Sequence, residues 1–233
     1  MGWFQLDPES VILRTRAAAT PPPVPSLAES LLRGTLGFTA LSIAGFVPWA
    51  VFGRALHQRL GEGGMYAVCA LVFIALSGPL LHRLIIGPGS RARFYQLFGV
   101  TFAVYSIGWI AGWMLLRGHL GSTIGLLLGT VPMGWMLARA FDARTEHWKV
   151  IGALFALNAA GYFIGGTADA AIGALRETAA PESRRTIAML AHLSWGLCYG
   201  LGFGAGLGLA FHLCQAKTRA LLDAAATSDR TPS

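Results

Sequence analysis

Apolar residues gather along this chain into six windows, 31–53, 64–87, 94–116, 120–140, 148–166 and 186–214, separated by short connections that carry most of the charge. A helix that spans a bilayer needs about 20 predominantly apolar residues, so each window can make one crossing. The pattern predicts an all-α polytopic membrane protein, a bundle of six transmembrane helices occupying residues 26–215. Residues 1–25 are left as an N-terminal segment and residues 216–233 as a disordered cytoplasmic tail. No connection exceeds about twenty residues, too few for a separate domain.

Polar, proline and glycine positions at the window edges set where helices begin and bend. Asp7 before Pro8 predicts an N-cap with proline at the first helical position. Val11, Ile12 and Leu13 give that short helix an apolar side for a membrane surface, with a disordered tail as the alternative. Pro21, Pro22, Pro23 and Pro25 make a stiff spacer, and Ser26 with Glu29 reads as a capping box opening the first membrane helix. In the second window Pro79 removes a backbone hydrogen bond and bends the helix, and the freed carbonyl needs protein or water beside it. Ser90 is placed to cap the third helix and Ser122 the fourth. Pro132 bends the fourth, and 167–183, the longest connection, reads as a short external helix ended by Pro181.

Glycine spacing predicts how the helices meet. His192, Gly196, Gly200, Gly204, Gly208 and His212 recur every four residues in the last window, and Gly202 and Gly206 add a second thin face. Small residues at that spacing let membrane helices touch backbone to backbone, which makes a glycine-zipper sixth helix the centre of the bundle. Gly108 and Gly112 of the third helix are set to meet Gly121, Gly125 and Gly129 of the fourth. Glycines crowd the outer half and prolines the inner half, so a tight outer half and a splayed inner half follow. The sharper consequence is a cytoplasm-facing cleft; the plainer one is an irregular but filled bundle.

Composition agrees with the membrane assignment: 54% of the 233 residues are apolar and 12% charged, with mean hydropathy +0.55, against about 25% charged in a typical soluble domain. The net charge of +7 is spread over the connections and does not mark a nucleic-acid surface. Twelve of the eighteen basic residues fall on the two ends and on the second and fourth connections, which by the positive-inside rule makes both termini cytoplasmic. A prokaryotic cytoplasmic membrane fits that chain. Residues 1–28 lack the basic start and apolar core of a secretory signal. Cys69, Cys198 and Cys214 lie in apolar windows without CxxC spacing, so neither disulfide nor metal site is expected. Trp49, Tyr66, Trp109, Trp113 and Trp195 fall near the outer boundary and Tyr95 and Trp148 near the inner one, an aromatic belt; stacking on a ring-shaped ligand is their other use.

Candidate chemistry is sparse. His82, His147 and His212 lie toward the inner side, His57, His119 and His192 toward the outer. His192 and His212 are about 30 Å apart at 1.5 Å per residue, so a single-haem redox protein would need an inner pair such as His82 with His212. Ala191-His192-Leu193 with Gly196 and Gly200 in the sixth window, and Gly121-Ser122 in the fourth, resembles the rhomboid proteases, a resemblance that implies a serine–histidine dyad of Ser122 and His192. The family's glycine-any-serine-glycine lacks its second glycine here and the second window lacks the histidine and asparagine four apart, so no catalytic residue is assigned. No Asp, Glu, Lys or Arg sits mid-window, whereas proton and ion pathways usually carry such groups, and no inverted repeat links the halves. Asn158 is the polar residue at mid-depth of the fifth helix.

The remaining cluster is basic. His82, Arg83, Arg91, Arg93, Arg139, Arg144, His147 and His212 face the cytoplasmic leaflet, where basic groups attract anionic head groups. Two functional expectations result: a non-catalytic scaffold that binds itself or another membrane protein, and a binder or transporter of a lipid-like anion.

Overall fold

The computed structural model describes residues 4–18 and 23–228. The spacer prolines Pro21 and Pro22 lie outside these, as does the end of the tail. The described residues form helices and turns only: α1 (Pro8–Ala17), α2 (Leu27–Leu81), α3 (Ser90–Leu116), α4 (Gly118–Ala140), α5 (His147–Ala174), α6 (Arg184–Cys214) and α7 (Ala216–Ser228). Five of them, α2 to α6, are long and apolar enough to cross a membrane.

The expected polar connection at 54–63 is helical, so two windows merge into the 55-residue α2. The helix is interrupted at Gly61, whose φ of 71° lies in the left-handed region that glycine enters at little cost. Its two arms, 27–60 and 62–81, then run back along each other: Gly37 abuts Leu80 and Leu81, Gly45 abuts the Phe73 ring, and Gly53 approaches Met65.

The local start signals act as read for two helices. Asp7 accepts the Ser10 amide at 3.0 Å and caps α1, and Ser26 with Glu29 closes a reciprocal capping box on α2. Elsewhere tertiary contacts override the local signal. Gly89, at φ 69°, caps α3 in place of Ser90. Arg117, not Ser122, is the α4 cap residue. Helix α5 continues to Ala174 through the stretch read as an external helix, and turns fill 175–183. The tail expected to be disordered forms α7, which packs beside α1.

Around the bundle the order is first arm of α2, α6, α5, α4, α3 and second arm of α2, so the glycine-rich sixth helix, expected at the centre, takes a place in the ring between α2 and α5. Contacts are most extensive where α6 meets α2 and α5 and where α3 meets α4; the α4–α5 and α2–α3 seams are thinner. Glycines line the extensive contacts. A Cβ placed on Gly204 would stand 2.5 Å from the Gly34 carbonyl oxygen, one on Gly200 2.7 Å from Thr39 Cα, and one on Gly161 2.5 Å from the Cys198 oxygen. Gly208 faces the Ser30 carbonyl, Gly202 that of Leu157, and Gly196 the Phe46 ring, while Gly206 meets Ala153 and Leu154 at 3.4–3.5 Å. On the other pair, Gly112 lies against Gly125, Gly108 against the Leu128 carbonyl, Gly129 against Tyr105, and Gly121 against Leu116. Ser42 adds a buried hydrogen bond to the Gly196 oxygen at 2.7 Å.

The splayed inner half does not form. At the end carrying α1 and α7, Phe94 and Phe98 stack at 5.1 Å, Phe102 continues the stack at 5.0 Å toward the cavity of the other end, Phe211 joins Phe94 at 5.7 Å, and Leu6, Leu84 and Phe141 close the cluster. The proline bend in α2 is absorbed locally: Tyr95 donates to the Ala75 oxygen at 2.6 Å, the carbonyl that Pro79 leaves without an amide. Buried Gln215 then straps the loop after α2, accepting from the Ile86 amide at 2.8 Å and donating to the Leu84 and Phe211 oxygens at 2.8 and 2.9 Å.

Candidate functional site

The main cavity lies at the opposite, distal end, about 260 Å³ in volume, near the lower end of the roughly 300–1,000 Å³ typical of ligand pockets. Its walls come from four helices. Phe46 and Trp49 belong to the first arm of α2; Tyr66, Cys69, Ala70 and Phe73 to the second; Phe102, Tyr105, Ser106, Trp109 and Trp113 to α3; Tyr162 to α5; Trp195 and Tyr199 to α6. The residues on α3 and on the second arm recur at three- and four-residue steps, so each set forms one inward face. Eleven of the fourteen are aromatic and none carries a formal charge.

The rings brace one another around the opening. Trp49 meets Trp195 edge-on at 5.6 Å, Trp195 meets Tyr162 at 5.2 Å, and Trp109 meets Tyr66 at 5.2 Å. Flat, rigid rings held edge to face do not fold into the space between them, which keeps it open. Toward mid-bundle, Asn158 donates to the Tyr105 hydroxyl at 3.0 Å and Tyr199 donates to it at 3.1 Å. The Tyr105 hydroxyl thus receives two hydrogen bonds, and its own proton has no protein acceptor among the described residues. Ser122 shares a hydrogen bond with Tyr162 at 3.2 Å.

Charge is confined to the rim. One Glu62 oxygen accepts from Arg117 at 2.7 Å, Trp113 at 3.1 Å and Tyr66 at 3.4 Å. Across the mouth, His192 pairs with Asp169 at 2.8 Å and stacks on Trp49 at 3.9 Å. No hydrogen bond joins Ser122 to His192, since each has another partner, so the geometry implied by the rhomboid resemblance is not assembled. None of the six histidines lines this cavity.

The basic residues at the terminal end do not form one site. Arg93 spends its guanidinium on the Pro88 and Gly89 oxygens at 3.2 and 3.0 Å. His82 bonds the Gly78 oxygen at 2.9 Å, the Arg83 oxygen accepts from Arg33 at 3.4 Å, and His212 lies 3.5 Å from the Ser30 hydroxyl. Only Arg139, Arg144 and His147 come together, with Trp135 and Ala138, around a second cavity of about 200 Å³. Arg91 is exposed at the start of α3.

A cleft between bent inner helices was the expected place for a ligand; the aromatic-walled cavity enclosed by four helices is instead distal, and the bundle interior at the proline-bent half is filled by phenylalanines. The wall residues could be seen in sequence only as a boundary belt. The available signal was the three- and four-residue recurrence of Phe102, Tyr105, Ser106, Trp109 and Trp113, which turns the belt inward on α3. No family model matches the chain, and no curated protein and no solved structure matches it either.

Proposed function

We propose that this protein crosses the cytoplasmic membrane six times, with both termini in the cytoplasm, and holds a small, neutral, ring-shaped molecule in its distal cavity. The six crossings follow from α2: at 1.5 Å per residue a 55-residue helix is about 80 Å long, far more than a hydrocarbon core of about 30 Å. Folding back at Gly61 makes two crossings of it.

The observation that carries the ligand reading is a wall of eleven aromatic and no charged residues. A buried ion would need a counter-charge, and the two rim carboxylates, Glu62 and Asp169, are already engaged by Arg117 and His192. A neutral ring stacks on the indole and phenol walls, and an oxygen acceptor on it takes the spare Tyr105 proton. Carrier and sensor are both served by such a site. A scaffold reading draws less support, because the glycine faces of α6 are occupied by α2 and α5 and leave no thin face for a partner.

Organic extraction of the purified protein, followed by mass spectrometry, tests this. A small apolar compound near one equivalent is expected from the wild type, and at least tenfold less from Ala70→Phe, which fills the space. Equal recovery from both proteins would overturn the reading.

A further inference from the structure

We propose that Trp135, Arg139, Arg144 and His147 form a binding site for the head group of an anionic phospholipid, separate from the distal cavity. The site sits where α4 ends and α5 begins, at the boundary of two apolar spans. The Arg139 guanidinium lies 4.7 Å over the Trp135 ring. That contact holds the cation over the indole face without using its N–H groups in an ion pair. The His147 ring is held to the Arg144 carbonyl through Nδ1, which leaves Nε2 as its free nitrogen.

Charge balance distinguishes this cluster from Arg33 and Arg93 of the same end, and the cavity that its residues share distinguishes it from Arg83 and Arg91. The two nearby carboxylates are engaged elsewhere, Glu146 by Lys149 at 2.9 Å and Asp142 by Lys217 at 3.6 Å. Among the described residues neither Arg139 nor Arg144 has an ion-pair partner. Arg33, by contrast, pairs with Glu29, and Arg93 is spent on backbone oxygens. Two unpaired guanidiniums beside a cavity fit a phosphate, whose oxygens they can meet two at a time.

The apolar surroundings identify the source of that phosphate. Leu128, Val131 and Trp135 are exposed on α4 and, with Arg139, fall at helical steps on one face. A lipid whose phosphate reaches Arg139 and Arg144 lays an acyl chain along this stripe, which a free phosphate does not use.

Native mass spectrometry of the full chain in mild detergent tests the site with dioleoyl phosphatidylglycerol, dioleoyl phosphatidylcholine and inorganic phosphate as separate probes. One phosphatidylglycerol is expected to bind at least tenfold more tightly than phosphatidylcholine. The double variant Arg139→Gln/Arg144→Gln should lose that preference, while Arg91→Gln keeps it. Equal retention of the two lipids, or undiminished phosphatidylglycerol binding by the double variant, overturns the proposal. So does competition by inorganic phosphate at the lipid's own concentration, which would make the ligand the free anion. Both variants change exposed side chains, and neither touches the distal cavity, so the extraction experiment on Ala70→Phe fails or succeeds independently.

Discussion

The two ends of this bundle are built from the same helices and differ in which aromatic residues they carry. The terminal end is closed by phenylalanines, among them Phe94, Phe98 and Phe211, in stacked contact and fully buried. The distal end is ringed mainly by tryptophans and tyrosines, eight of the eleven aromatic wall residues, and remains hollow. Phenylalanine has no polar atom to place, so it packs to density wherever the backbone allows. Tyrosine and tryptophan bring hydroxyl and indole groups that want partners; here Tyr66, Tyr105, Tyr162, Tyr199 and Trp113 find them in one another, in Asn158, in Ser122 and in Glu62, while the buried Trp109 and Trp195 indole nitrogens have none among the described residues. Those bonds fix the rings in positions chosen for polar contact, and the volume left between them stays open.

Glycine placement produces the same contrast on a larger scale. It draws α2, α6 and α5 into one tight group and α3 and α4 into another. The groups meet through thinner seams, and the cavity lies between them, lined from both sides. Tight pairs around the perimeter therefore leave space at the centre instead of removing it.

Three substitutions test this contrast. The largest effect is expected at the filled end, where Phe98→Ala should cost about 3–5 kcal/mol by removing a fully buried ring, measured as the shift in denaturant unfolding in detergent. Next comes the glycine contact: Gly204→Ala sets a methyl against the Gly34 carbonyl, and overpacking of that kind costs about 1–3 kcal/mol in the same assay. The smallest effect, of opposite sign, belongs to the hollow end. Ala70→Leu grows into empty space and should stabilise the ligand-free protein by about 0.5–2 kcal/mol. Destabilisation by Ala70→Leu equal to that of Gly204→Ala would mean that the two regions do not differ in packing.

Much of the architecture was legible because it rests on local chemistry. The Asp7 and Ser26–Glu29 caps act within three residues of themselves, and the carbonyl freed by Pro79 had to find a donor, which is Tyr95. Less was legible where a distant neighbour decides. Residues 54–60 are polar enough to read as a loop, yet they continue a helix until Gly61 lets the chain reverse. Residues 216–228 read as a tail, yet they form a helix that packs on α1. Eight basic and histidine residues looked like one cluster because they share an end of the bundle; backbone carbonyls and neighbouring side chains claim several of them, and three remain together.

Residue order alone was enough to locate the apolar runs and several helix starts, since hydrophobic run length and capping depend on residues a few positions apart. Which end stacks phenylalanines and which encloses the aromatic-walled cavity emerges from packing. That outcome is a volume balance among side chains from four helices, and volume left over at the centre of a bundle has no signature in any one of them.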